Sequence, residues 1–125
     1  MSVVVDTSVL IDYLRGNELA AHVLERERSL APLVASEFAR LEVLARMRPS
    51  EEAETRGLMS ALVWHPVDES VAEAAGVLGR KWLKSHWGID GADLAVAATA
   101  LLTDSRLLTR NVKHFPMFPG LECPY

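Results

Sequence analysis

Three acids stand where a folded chain gains little from having them. Asp6 directly follows Val3, Val4 and Val5. Glu42 lies between Leu41 and Val43 in a segment with apolar residues at helical spacing, and Asp93 lies beside Leu94 in a run of Ala, Val and Leu. An unpaired carboxylate taken out of water costs several kcal/mol. Converging carboxylates also raise one another's pKa. A hard divalent cation removes both penalties, because Mg2+ and Mn2+ prefer oxygen ligands and keep several waters when carboxylates bind them. Such an ion activates a water and holds a phosphate oxygen. The chemistry these residues point to is phosphodiester hydrolysis.

Each acid has an innocent reading beside the chemical one. Asp6 is a candidate helix N-cap, Glu42 a helix-surface charge, and Asp93 a first-turn acid favoured by the helix dipole. Asp90 lies three residues before Asp93 and shares its helix face. An N-cap is the preferred reading of Asp90, with an outer-shell or second-metal role as the rival. Asp12 is read as solvent-facing and Glu37 as a first-turn dipole partner. His65, His86 and His114 lack metal-ligand spacing and are read as surface or satisfied side chains, although His114 falls three residues past Asn111. Trp64, Trp82 and Trp87 are candidates for base stacking, but Trp82 falls on an apolar stripe and reads as core.

The elements that must position these residues follow from periodicity. Ser2 to Val5 reads as a short buried strand of a parallel sheet. Thr7 or Ser8 is expected to cap a following helix with Val9, Leu10, Tyr13 and Leu14 on its apolar stripe, ended by Gly16 and Asn17. A second helix is expected over Glu18 to Arg28, with Leu19, Val23 and Leu24 facing inward. Pro32 to Ala35 reads as a second strand. Ser36 then caps a helix to about Met47, with Phe38, Leu41 and Leu44/Ala45 inward. Pro49 breaks that helix, and Ser50 starts another, with Glu51, Glu52 and Glu54 at its positive end. Leu62 to Val67 is a third strand interrupted by Pro66. Asp68 to Trp82 is helical, with Val71, Ala74, Ala75, Leu78 and Trp82 on one side. Asp90 to Leu102 is an alanine-rich helix able to pack close to a sheet. Arg106 to Thr109 is a fourth strand, and Leu121 to Cys123 a candidate edge strand. Strands alternating with helices imply an α/β fold, a three-layer α/β/α sandwich around a small, mainly parallel sheet. Ligands of such sheets gather beyond the carboxyl ends of the strands, where Asp6 and Asn111 both fall.

The chain has 125 residues, enough for one domain over 1–125. Its net charge of −4 argues against tight non-specific duplex binding, which needs a basic surface. It leaves room for a nuclease with a metal-filled acidic centre and a local basic rim. The one cysteine, Cys123, excludes an internal disulfide or a cysteine zinc cage and fits a reducing cytoplasm. No stretch approaches the ~20 apolar residues of a membrane span, and residues 1–6 show no secretory signal pattern.

Four segments now carry a resemblance: Val3 to Leu14 (VVVDTSVLIDYL), Ser36 to Leu44 (SEFARLEVL), Asp90 to Ala100 (DGADLAVAATA) and Leu107 to Phe115 (LLTRNVKHF). In order and spacing the chain resembles the PIN-domain ribonucleases, and in its compact size the VapC-type toxins of bacterial toxin–antitoxin pairs. The resemblance runs from the first strand to the tail. It implies Mg2+- or Mn2+-dependent RNA cleavage, a homodimer, and a cognate antitoxin protein that blocks the site. It makes Asp6, Glu42 and Asp93 the acidic metal ligands in chain order. The fourth position, often aspartate after Thr-Arg in this family, is Asn111 here. Asparagine adds no charge, so one metal is expected rather than two, with Asn111 orienting a water. Thr7 and Ser8 are expected to close the site. Arg110 and Lys113, with Arg80, Lys81 and Lys84 on a helix nearby, are candidates for contacts to the RNA backbone.

Two other functions share some of these features. Aspartyl-phosphate phosphotransfer also uses an aspartate at the end of a first strand, but the phosphatase pattern wants a second acid where Ser8 stands, and the early acid pair of a receiver is missing. A PIN-fold binding module with weakened catalysis is supported by Asn111 alone and opposed by the three retained acids.

Overall fold

A run of β-branched residues without a turn former extends readily, and Val3–Val5 forms β1 near the middle of a four-stranded sheet. The computed structural model describes residues 1–125. It continues through α1 (Thr7–Leu14), α2 (Glu18–Leu30), β2 (Leu33–Ser36) and α3 (Glu37–Arg46). A 3-10 turn at Pro49–Glu51 leads into α4 (Glu52–Ser60), β3 (Val63–His65), α5 (Glu69–Trp82), α6 (Gly91–Leu102) and β4 (Arg106–Leu108). A second 3-10 turn spans Val112–His114. The sheet order is β3-β2-β1-β4, and every pair is parallel. The carboxyl ends of all strands therefore face one edge.

Alternation along the strands divides the core into two layers. Val3, Val5, Leu33, Ala35 and Leu108 point to one face, where they meet Val9 and Leu10 of α1, Val23 and Leu24 of α2, and Ala39 and Val43 of α3. Val4, Val34 and Leu107 point to the other, against Val96, Ala97 and Ala100 of α6 and the buried Phe115. The far side of α6 places Ala95 and Ala98 against Val71 of α5. Because α6 is covered on two sides, Asp93 to Ala100 are all buried, and only small side chains let it sit between sheet and helix. The result is the expected α/β/α arrangement, with a sheet that is wholly rather than mainly parallel.

Several local expectations are corrected. Asp6, not Thr7 or Ser8, occupies the N-cap position of α1, and its side chain makes no cap bond. Leu19 is 59 % exposed and Leu41 60 % exposed. The buried residues of α3 are Ala39 and Val43, one residue round the helix from the predicted stripe, because the sheet lies on that side. The helix does end before Pro49, at Arg46, and Pro49 opens a 3-10 turn before the next helix, as suits a residue with preset φ. Leu121 to Cys123 forms no strand; Leu121 instead packs against the second core layer. Cys123 is free and exposed.

The tight fit of α6 makes a quantitative expectation. Ala97→Leu should lower the unfolding free energy in urea by about 1–3 kcal/mol through overpacking. Leu101→Ala, at a position 49 % exposed on the same helix, should stay within about 0.5 kcal/mol of the parent.

Candidate active site

Asp6 follows β1 at the carboxyl edge and is 5 % exposed. Its backbone N–H donates to the Leu108 carbonyl of the neighbouring strand at 2.9 Å. Two hydroxyls donate to the same carboxylate oxygen, Oδ2: Ser8 at 2.9 Å and Thr109 at 2.8 Å. Those hydroxyls also hold the loop after β4. The Arg110 N–H donates to Ser8 Oγ at 3.1 Å, and the Asn111 N–H to Thr109 Oγ1 at 3.0 Å. Thr7, buried at the start of α1, donates its hydroxyl to Glu42 Oε1 at 2.8 Å. That bond joins α3 to the residue next to Asp6.

The third acid is built by α6. Asp90 caps the helix, accepting from the Asp93 N–H at 2.9 Å, while the Asp90 N–H donates back to Asp93 Oδ2 at 3.1 Å. This reciprocal box satisfies two helix-end donors and confirms the N-cap reading of Asp90. His114 places Nδ1 3.0 Å from the same Asp93 Oδ2. Behind it, Gly88 has φ +91°, and a Cβ there would stand 3.2 Å from His114 Nε2. Only glycine suits both the left-handed backbone and this approach to the ring.

The three acids share one pattern. Each commits a single oxygen to protein donors, namely Asp6 Oδ2, Glu42 Oε1 and Asp93 Oδ2. Asp6 Oδ1, Glu42 Oε2 and Asp93 Oδ1 accept no hydrogen bond. No buried side-chain polar atom is left without a partner, so these free oxygens are open to solvent. No three of the His, Cys, Asp or Glu side chains form a ready metal-ligating group by themselves.

Two of the three acids nevertheless act on each other: the Asp6 carboxylate reaches Asp93. Burial pushes the Asp93 carboxyl up to about 6, the Asp90 and Asp6 carboxylates push the same way, and the Asp90 N–H and His114 act against them. Burial also acts to raise Asp12, but hydrogen bonds from Tyr125 and Arg110 outweigh it and hold that carboxyl below the usual range.

The structure places the remaining candidates as follows. Asn111 is exposed, and its side chain makes no hydrogen bond; it borders an open cavity with Ser8 and Arg110. Arg110 does not project freely, since its Nη1 lies 2.9 Å from Asp12 Oδ2. Asp12 is accordingly an ion-pair partner rather than a plain solvent-facing charge. Lys113, Arg80, Lys81 and Lys84 are exposed; Arg80 and Lys84 border a separate cleft with Gly79, Gly91 and Leu94. Trp82 is half-buried, edge-on to His86 at 5.2 Å. Thr109 and His114 were missed as contacts of the acids. A hydroxyl immediately after the last strand was the available signal for Thr109; His114 carried only its nearness to Asn111.

A carboxyl whose folded pKa is raised favours the folded state most below its unfolded value of 3.8 and loses that contribution as pH rises through about 6. Asp93→Asn cannot ionise. In buffer without divalent cations, its unfolding free energy relative to the parent should therefore improve between about pH 4 and pH 7, by on the order of 1–3 kcal/mol. Denaturant titrations at the two pH values check this; an unchanged difference contradicts it.

Comparison with known proteins identifies the family. The PIN domain family model matches residues 3–116. The chain is 46 % identical over 122 residues to Ribonuclease VapC19 of Mycobacterium tuberculosis, covering 97 % of this chain and 98 % of that protein. It is 37 % identical over 123 residues to Ribonuclease VapC10 of the same organism, covering 98 % and 92 %. Among solved structures, a toxin–antitoxin complex from Klebsiella pneumoniae contains a chain that superposes with TM-score 0.82 at 28 % identity, covering 98 % of both chains. With the parallel sheet, the acidic edge and these matches together, the chain belongs to the PIN-domain family, beside the VapC ribonucleases.

Proposed function

We propose that this chain is a metal-dependent endoribonuclease that hydrolyses RNA phosphodiester bonds at the Asp6–Glu42–Asp93 edge and serves as the toxin of a toxin–antitoxin pair. Support comes from the named VapC ribonucleases it resembles and from a structural relative described as a toxin–antitoxin complex. The observation that carries the reading is the free oxygen on each carboxylate, beside an Asp93 whose carboxyl is held at about 6. A protein-only site has no use for that arrangement, because it leaves repulsion unrelieved.

The donor set fits a hard dication. It consists of carboxylate oxygens with no thiolate, and each is pinned through its other oxygen, as ligands oriented by an outer shell are. Mg2+ or Mn2+ is the proposed ion, held by Asp6, Glu42 and Asp93. When bound, it supplies a more acidic water and neutralises developing charge on the phosphate. The chain's own residues do the positioning. Ser8 and Thr109 fix Asp6, Thr7 fixes Glu42, and Asp90 with His114 fixes Asp93. Asn111, which borders the adjoining cavity, is the proposed residue to orient a water or an RNA group. Its lack of charge is the one feature favouring a weakened binding module.

The proposed setting is a single domain over 1–125 working in the cytoplasm as a homodimer with a cognate antitoxin. No helix is long and apolar enough to cross a membrane. Lys113, Arg80, Lys81 and Lys84 stay as proposed backbone contacts, being exposed and free of ion pairs.

Purified protein should cleave total RNA when Mg2+ or Mn2+ is added and stop with EDTA. Asp6→Ala and Asp93→Ala should abolish cleavage while remaining folded, and Thr7→Val should slow it about 10- to 100-fold. Expression of the parent should arrest bacterial growth, and Asp6→Ala should relieve the arrest. If both forms are equally harmless, the toxin role is lost; if no RNA is cut under any metal, so is the nuclease role.

A further inference from the structure

An open cavity of about 310 Å3 adjoins the acidic edge, lined by Ser8, Ile11, Asp12, Arg46, Arg110 and Asn111. It shares a wall with the candidate active site, because Ser8 is one of the two hydroxyls on Asp6. Two arginines reach this cavity from different elements. Arg46 is the last residue of α3, four residues past Glu42 and therefore on the same helix face. It is exposed and takes part in no ion pair. Arg110 is the opposite case. Asp12 Oδ2 accepts from its Nη1 at 2.9 Å and from the Tyr125 hydroxyl at 2.7 Å, and its guanidinium lies 5.1 Å from the Tyr125 ring centroid.

Two guanidiniums against one carboxylate leave a single positive charge uncompensated. The cavity volume falls at the lower end of small-ligand sites. A phosphodiester carries one negative charge per phosphate and accepts bidentate hydrogen bonds from guanidinium. We propose that this cavity is the subsite for a backbone phosphate of single-stranded RNA flanking the scissile bond, with Arg46 and Arg110 as its ligands. Asp12 and Tyr125 are positioning residues that hold the Arg110 guanidinium in place. The inference rests on the nuclease reading and adds to it where the chain beyond the cut is gripped.

The test uses the full chain, a short mixed-sequence single-stranded oligoribonucleotide as probe, and Arg26→Ala as the control for loss of one charge. Arg26 borders a cleft with Arg106, the first residue of β4, at the opposite edge of the sheet. Arg46→Ala should raise KM about tenfold with kcat unchanged and flatten the slope of log affinity against log salt by about 0.7. Arg46→Lys should recover part of both. Tyr125→Phe should raise KM in the same direction but less than Arg110→Ala does. Binding measured by fluorescence anisotropy on an Asp6→Ala background decides the subsite even if the parent cuts nothing, an outcome that would count against the nuclease reading alone. Equal affinity and salt slope for Arg46→Ala and Arg26→Ala overturn the subsite. So does an Arg46→Ala variant that binds RNA normally but loses an acidic protein partner, since the cavity would then belong to that partner.

Discussion

Asp6 keeps a carboxylate at the end of a buried parallel strand with 5 % of its surface exposed, and two hydroxyls from opposite ends of the chain hold it there. Much of the molecule answers to that one group. A charge removed from water must be met by donors, or it costs several kcal/mol. Here the donors are Ser8 on α1 and Thr109 after β4, so meeting the charge also ties the first strand to the last. The same hydroxyls accept from the Arg110 and Asn111 amides. The loop that carries the rim residues is thereby set by the carboxylate it surrounds.

The satisfaction stops halfway at every acid. One oxygen of Asp6, of Glu42 and of Asp93 is bound, and the other is not. A fold selected for stability alone would cap both, or replace the acids with apolar residues of similar volume. Asp93 shows the consequence, since burial and its acidic neighbours push its carboxyl to about 6. The stability lost at this edge is met elsewhere, in the two-layer core and in an alanine-rich α6 wedged between β1 and α5. The burial of α6 and the Asp90 bonds at its start are also what hold Asp93 in position.

The rim differs from the centre. Arg110 is clamped by Asp12 and Tyr125, whereas Arg46 is unpaired. A fixed cation gives orientation, and a free one gives reach, which is a sensible division for gripping a flexible strand. The net charge of −4 is no obstacle. Arg46 and Arg110 border one cavity at the edge where the substrate is proposed to lie, and association depends on the local field there.

Local pattern alone determined much of this protein. The β-branched run at Val3–Val5, the helical spacing of Val71 to Leu78 and the small residues of 91–102 are properties of neighbours in sequence, so strands, helices and their alternation were legible. The three acids were legible too, because an acid set among Val, Leu and Ala is out of place wherever the chain folds. What tertiary structure decided was every pairing between distant elements. Thr109 meets Asp6 across 103 positions, and Tyr125 meets Asp12 across 113. His114 reaches Asp93 only because the turn after β4 passes the start of α6. The buried face of α3, with Ala39 and Val43 rather than Leu41, depended on where the sheet lay, and Leu121 stayed out of the sheet and packed against the second core layer. Periodicity is set by bonds along the chain and can be read there. Which donor meets which charge is set by the order of strands in space, and no window of sequence contains that.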